Sequence, residues 1–304
     1  MAKLFVMCGL QCSGKSTKAK ELTKEHNATV LSSDSIREEY PTAKNDTVFR
    51  ILYERMNKIL KDGGNVVVDA TNTTIKARSQ IFQNLKVDCE KICHIMNVPY
   101  EMCIERLGKR NESDYPHKFG EDVIKRYYYN FEIPFYEEGW DSIEVENKPT
   151  MKECAEFCSN MQWFAKGFNQ DNKHHTQPLG EHMNTVGLLL KGTDKNLEFA
   201  GYYHDIGKLF TLTYKEGDPN AHYYNHANVG AYKMLCNAGC YFVFKENFGV
   251  YDTVNTLKWL FYINYHMHLY NVTTEKSEKK WRAIFGDEKF DNLRLFNEAD
   301  KKRL

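Results

Sequence analysis

Gly9 to Ser16 reads GLQCSGKS, with the apolar run KLFVMC before it and the charged, amphipathic TKAKELTKEH after it. The eight residues satisfy G-x-x-x-x-G-K-[ST] in the setting that pattern requires, after a strand and before a helix. Glycines let the backbone turn tightly enough for its N–H groups to surround a β-phosphate, and the following helix adds its positive N-terminal end. In such a loop Lys15 reaches the β- and γ-phosphates and Ser16 ligates Mg²⁺, while Gly9, Cys12, Ser13, Gly14 and Thr17 complete the cradle. ATP and Mg²⁺ are therefore expected ligands.

Outward from the loop, residues 1 to about 145 alternate short apolar runs with amphipathic charged ones, the pattern of βαβ units around a parallel sheet. TVLSSDSIREEY ends its apolar run at Ser32–Ser33, so Asp34 and Arg37 fall at the carboxyl edge of the sheet, where doubly wound folds keep their ligands. A carboxylate there can take a proton from an attacking hydroxyl, and Arg37 can bind an acceptor phosphate; the same position also suits Asp34 as a helix N-cap. NVVVDATN predicts a third strand over Val66–Val68 that ends at Asp69, which either orients magnesium or caps the next helix. CIERLGKRNESDYPHKFGEDVIKR gathers Arg106, Lys109, Arg110, Lys118, Lys125 and Arg126 around a loop, either a solvated face or a lid over the γ-phosphate.

From about Met151 the strand signals fade and helical patterns take over, with the boundary expected near Lys148 to Thr150. In GYYHDIGKLF, His204 and Asp205 follow Leu197, Ala200 and Gly201 at helical spacing, so both face inward. His182 precedes Val186, Leu189 and Leu190, His226 precedes Val229 and Gly230, His266 follows Trp259, Tyr262 and Ile263, and Asp300 continues Leu293, Phe296 and Asn297. His268 competes with His266, and His222 with His226. Imidazoles and carboxylates aimed into a core are costly to bury without a cation, and this donor set suits Mn, Fe, Ni, Co or Zn. His174 and His175 lie in a polar loop and either touch substrate or face solvent.

Lys plus Arg balance Asp plus Glu at 41 each, which excludes a global basic field for holding nucleic acid and leaves only local patches. Nine cysteines with no C-x-x-C pair argue for a reducing compartment, the cytoplasm, and no run approaches the ~20 apolar residues of a membrane span. The pairs Cys89/Cys93, Cys154/Cys158 and Cys236/Cys240 share i, i+4 spacing, which puts each on one face wherever the segment is helical; such thiols mostly fill cores.

The phosphate loop, SSDSIR, DATN and KRN together resemble the 5'-hydroxyl polynucleotide kinases of the T4 phage type over roughly Leu4 to Pro134. That resemblance implies Asp34 as general base for the 5'-OH, Arg37 on the neighbouring nucleotide phosphate, and Arg110 and Arg126 on the transferring phosphoryl. Ser33 departs from the family, which often has a second acidic residue there, and small-molecule and toxin-like kinases share the loop and DATN. The order His, His-Asp, His, His, Asp resembles the HD-domain metal phosphohydrolases over about Gly180 to Asp300, with HDIGK and NHANVGA most like the modules appended to tRNA-processing nucleotidyltransferases. It implies one metal on His182, His204, Asp205 and Asp300, a second on His226 and His266 bridged by Asp205, and Lys208 on the substrate phosphate.

Together these imply an α/β P-loop kinase domain with a doubly wound parallel sheet, residues 1–148, followed by an all-α HD domain, residues 149–304. The expected activity is bifunctional end healing of RNA: phosphorylation of 5'-OH ends and removal of 2',3'-cyclic or terminal phosphate. RNA or DNA ends are then the substrate, a separate ligase is a partner, and no membrane is involved. A metabolite or nucleoside kinase fused to a nucleotidase, or a nucleotide-regulated HD signalling protein, would carry the same motifs.

Overall fold

The computed structural model describes residues 1–113, 118–172, 177–238 and 252–302; His174, His175 and Cys240 lie outside them. The chain divides into two compact units, 1–127 with 138–147, and 128–137 with 148–304.

The first unit contains β1 (Lys3–Gly9), α1 (Lys15–His26), β2 (Ala28–Ser32), α2 (Ser33–Glu39), α3 (Asn45–Lys61), β3 (Asn65–Asp69), α4 (Ile75–Asn84), β4 (Glu90–Met96), α5 (Tyr100–Glu112), most of α6 (Glu121–Tyr129) and β5 (Ser142–Val145). Its five strands lie in the order β2-β3-β1-β4-β5, all parallel. The central β1 is buried from Leu4 onward because it has neighbours on both edges and helices on both faces, which is why it reads as a continuous apolar run rather than an alternating one. Phe5, Met7, Val67, Ile92 and Met96 pack there with Ala19 and Leu22 of α1; each large side chain so buried contributes about 1.5–3 kcal/mol. Register pairs Ser32 with Asp69 and Gly9 with Met96, so the carboxyl ends of β1, β2 and β3 share one edge. Cys93 lies within β4 and Cys89 just before it, so their i, i+4 spacing does not make a helix face.

The second unit is helical: α7 (Met151–Lys166), α8 (Leu179–Leu189), α9 (Lys195–Tyr203), α10 (Lys208–Thr211), α11 (His226–Asn237), α12 (Thr253–Tyr265), α13 (Glu275–Phe285) and α14 (Asp287–Lys301). Thr150 opens α7 with a capping box to Glu153. A short antiparallel ribbon, β6 (Leu212–Tyr214) with β7 (Ala221–Tyr223), interrupts the helices, although the sequence predicts none. Its signal is the turn GDPN between TLTY and AHYY, where Gly217 takes φ +77° and Asp218 accepts the Asn220 N–H at 2.9 Å. Residues 128–137 join this unit as a strap: Phe131, Ile133 and Phe135 are buried, the Ile133 N–H donates to Asn264 Oδ1 at 2.7 Å, and Phe135 packs edge-on to Phe261. Among the described residues no helix is long and apolar enough to cross a membrane.

Candidate functional sites

At the end of β1 the loop turns through Cys12 and Gly14, at φ +60° and +93°, and Gly14 takes the N-cap position of α1 with no side chain closing it. The helix therefore presents bare N–H groups to the loop, the arrangement that binds a phosphate. Gly9 cannot carry a side chain, because a Cβ there would lie 2.8 Å from Met96 Cβ and 2.9 Å from Ser13 Oγ. Lys15 is buried; its ammonium donates to the Leu10 carbonyl at 2.6 Å and feels the Asp69 carboxylate, yet burial lowers its pKa overall. Ser13 Oγ is buried with no hydrogen-bond partner among the described residues. Ser16 and Thr17 are exposed at the start of α1.

A groove beside the loop is lined by Ser16, Lys20, Lys24, Ser32, Asp34 and Asp69. The helix-cap reading of Asp34 gives way to Ser32, whose hydroxyl accepts the Asp34 N–H at 3.2 Å, and Thr74 rather than Asp69 caps the helix after β3. Both carboxylates are thereby left to the groove. Asp34 is exposed and pairs with Arg37 at 3.2 Å, while Arg37 also donates to Asn45 Oδ1 at 2.9 Å. In the DATN segment Asn72, at φ +46°, donates to the Met7 carbonyl at 2.8 Å and ties β3 to β1. Arg78 is wholly buried in a bidentate pair with Glu138 at 2.6 and 2.7 Å and donates to the Asn72 carbonyl at 3.1 Å.

Of the cations gathered around this segment, Arg110 on α5 stands 5.1 Å from the Phe119 ring centre, and the exposed Arg126 on α6 stands 5.6 Å from that of Tyr127. Arg106 reaches the loop itself, donating to the Cys12 carbonyl at 3.3 Å. Its signal was the i, i+4 spacing to Arg110, which puts both on one face of α5.

In the second unit the six inward residues converge. Asp205 divides its oxygens: Oδ2 lies 3.5 Å from His204 Nε2 and 3.6 Å from His182 Nε2, and Oδ1 lies 3.0 Å from His226 Nε2 and 3.5 Å from His266 Nε2. Asp300 Oδ1 joins the first pair, 3.0 Å from His182 and 3.3 Å from His204, and its Oδ2 accepts the Tyr270 hydroxyl at 3.0 Å. Donor atoms of His182, His204 and Asp300, and of His204, Asp205 and His266, each lie within 4.8 Å of one another. Close glycines make this possible. A Cβ on Gly201 of α9 would lie 2.9 Å from Gly187 Cα of α8, and one on Gly207 would lie 1.9 Å from the His226 carbonyl oxygen.

Ring orientation is equally specific. Nδ1 of His204, His226 and His266 lies 2.8–2.9 Å from the carbonyls of Gly201, Tyr223 and Ile263, and a carbonyl can only accept. Nδ1 therefore carries the hydrogen and each Nε2 turns a lone pair inward. Two lone pairs facing across 3.3 Å, as between His226 and His266, repel unless a cation lies between them, so the donor set fits divalent metal. Burial works against charge on Asp205, but Lys208 and the imidazole of His204 hold its carboxyl well below the usual range. Asp300, opposed by burial, is held low by the imidazoles of His182 and His204 beside it. Burial lowers His204; it also works against His182, where the bond to Asp300 and the charges of Asp205 and Asp300 together outweigh it and the pKa rises.

Lys208 is buried, donating to Asp205 Oδ2 at 2.6 Å and Gln170 Oε1 at 2.8 Å. Gln170, Tyr270 and the glycines were not singled out from sequence. The competing histidines lie elsewhere: His268 packs 3.9 Å from the Trp281 ring centre, and His222 on β7 bonds Asp218 at 2.9 Å.

Residues 4–134 match a family model described as an AAA domain. A comparison with curated protein sequences gave no match. Among solved structures, the chain is similar to one in the Pnkp1/Rnl/Hen1 RNA repair complex, at 21% identity and TM-score 0.38, over 41% of this chain and 42% of that one. It is also similar to a putative kinase from Chloroflexus aurantiacus, at 16% identity and TM-score 0.39, over 48% and 84% of the two chains. A deoxyadenosine kinase from M. mycoides aligns at 19% identity and TM-score 0.31, over 47% and 90%. This chain thus spans less than half the length of the first of these structures. The five-stranded parallel sheet with its phosphate loop and flanking helices is a P-loop kinase fold.

Proposed function

We propose that this chain heals nucleic-acid ends with two activities: ATP-dependent phosphorylation of a 5'-OH, and metal-dependent removal of a 2',3'-cyclic or terminal phosphate, RNA being the expected substrate. The observation that carries the reading is Asp205, whose two oxygens serve two separate groups of imidazoles in the same chain as a phosphate loop.

In the kinase half, the bare N–H groups at the start of α1 bind the phosphates and Lys15 neutralises charge that grows on the transferring phosphoryl. Ser16, with Asp69 behind it, would hold Mg²⁺. Asp34 receives the proton of the acceptor hydroxyl, and Arg37 beside it orients the carboxylate. Arg106, Arg110 and Arg126 supply cations from α5 and α6.

In the other half, His182, His204, Asp205 and Asp300 would hold one metal and Asp205, His226 and His266 a second. Divalent metal there supplies Lewis acidity toward a phosphoryl oxygen and lowers the pKa of bound water. The residues themselves orient the centre: backbone carbonyls fix three ring tautomers, Tyr270 steadies Asp300, and Lys208 braces Asp205 while offering positive charge to an incoming phosphate.

The test follows both ends of one oligonucleotide bearing 5'-OH and 2',3'-cyclic phosphate. Lys15→Ala should abolish 5'-phosphorylation and spare phosphate release, and Asp205→Ala should do the reverse. A wild-type protein that phosphorylates a nucleoside or sugar but no oligonucleotide would replace end healing with a metabolite-kinase reading. Full phosphate release by Asp205→Ala would remove the hydrolase half.

A further inference from the structure

The groove that starts at Ser16 and Asp34 continues along α1, where its wall carries Lys20 and Lys24. Ser16, Lys20, Thr23 and Lys24 stand at i, i+4, i+7 and i+8, one stripe of the helix. Both lysines are exposed, and neither pairs with a carboxylate among the described residues. Lys18 on the adjoining face behaves differently, being tied to Glu21 and Glu146 at 3.5 and 3.0 Å. Two unneutralised like charges at i, i+4 repel each other, an arrangement that favours an anion between or along them. The net charge of the chain is zero, so this is a local feature rather than part of a basic coat.

The opposite wall is acidic, with Asp34 and Glu38, and Asp34 is already matched by Arg37. Arg37 is itself engaged by Asp34 and Asn45, so the lysines are the groove's cations that remain uncommitted. We propose that Lys20 and Lys24 hold successive phosphodiesters of the acceptor. The acceptor is then a single nucleic-acid strand whose hydroxyl end meets Asp34 and whose backbone runs down the α1 wall, with Glu38 keeping it from the other side. This rests on the kinase half of the proposed function and adds its substrate class: a polyanion at least two phosphates long.

The experiment measures steady-state phosphorylation by the full chain, between 50 and 200 mM salt, of a 5'-OH single-stranded oligonucleotide and of a nucleoside 3'-monophosphate. In the Lys20→Ala/Lys24→Ala protein the oligonucleotide KM should rise about tenfold or more, with kcat and the KM for ATP within about twofold. The slope of log KM against log salt should fall by about 1.4, since each phosphate contact on a single strand contributes about 0.7. Lys20→Arg/Lys24→Arg should restore KM and slope, and Glu38→Gln should lower the oligonucleotide KM. The monophosphate, with one phosphate to lose, should suffer less than the oligonucleotide. If the alanine protein keeps the wild-type KM and salt slope on an oligonucleotide that the wild type phosphorylates, the lysine assignment is wrong and the kinase reading stands. If the wild type phosphorylates no oligonucleotide at all, both fall together.

Discussion

Nε2 of His226 faces Nε2 of His266 across 3.3 Å, and each ring donates its Nδ1 hydrogen to the carbonyl three residues earlier in the chain. The two rings are locked with their basic sides together, which costs stability until positive charge is supplied. Divalent metal should therefore raise the melting temperature of the helical unit. A ligand at 100 times its Kd adds about 2.7 kcal/mol, readable by calorimetry with Mn²⁺ or Ni²⁺ against a chelator. Asp205→Asn should abolish most of that shift and the bound metal with it. An undiminished shift in Asp205→Asn would place the metal somewhere other than this cluster.

Gly207 offers a steric test of the same centre. Its α-carbon is so close to the backbone of α11 that a methyl group would overlap the His226 carbonyl oxygen. Gly207→Ala should cost about 1–3 kcal/mol or more in urea unfolding and weaken metal uptake, because the backbones must part. Gly108 of α5 has open space around it, so Gly108→Ala should instead stabilise by about 0.5–1 kcal/mol. Equal effects from the two substitutions would show that the close approach is not tight.

The buried pair of Arg78 and Glu138 braces the edge of the sheet from residues 60 positions apart. Glu138→Ala would strand a guanidinium that has no exposure to water, and removal of one partner from a buried pair costs about 3–5 kcal/mol. Because Arg78 also holds the Asn72 carbonyl just beyond Asp69, kinase kcat should fall as well. A loss under about 1 kcal/mol, with normal kcat, would contradict the bracing role.

His94 of β4 sets an acid limit on the first unit. Burial lowers its pKa below 6.5, with Lys18 pushing the same way and Glu146 opposing. The unfolded chain therefore takes up this proton at a higher pH than the folded one. Its penalty is absent above about pH 6.5 and grows as pH falls from there toward the folded value. Urea midpoints followed from pH 7.5 to 5 should drop less steeply in His94→Asn than in the wild type. Parallel curves would mean that His94 does not contribute to the acid limit.

Much of this was legible in short segments. The phosphate loop is eight consecutive residues whose chemistry depends on local backbone, so Lys15 and Ser16 could be placed without knowing the rest. His204 and Asp205 announced themselves by interrupting an apolar stripe, and the other four members of the cluster did so on stripes of their own. Arg78–Glu138, Gly187–Gly201 and Gly207–Gly230 were opaque because each depends on two segments meeting, and neither member looks unusual alone. The choice of His266 over His268 was hidden for a related reason. Both sit at the end of an aromatic helix, and it is Trp281, thirteen residues on from His268, that occupies the second ring.

The chain leaves its first unit at Tyr127, supplies Phe131, Ile133 and Phe135 to the second, and returns at Glu138 for β5. No single cut can therefore separate the units cleanly. A fragment beginning at residue 148 lacks three apolar side chains that α11 and α12 are shaped to cover, and one ending there exposes them. During synthesis the strap emerges about a hundred residues before those helices exist. Its burial must wait for them, so the sheet can close on the ribosome before the helices that cover the strap have been made.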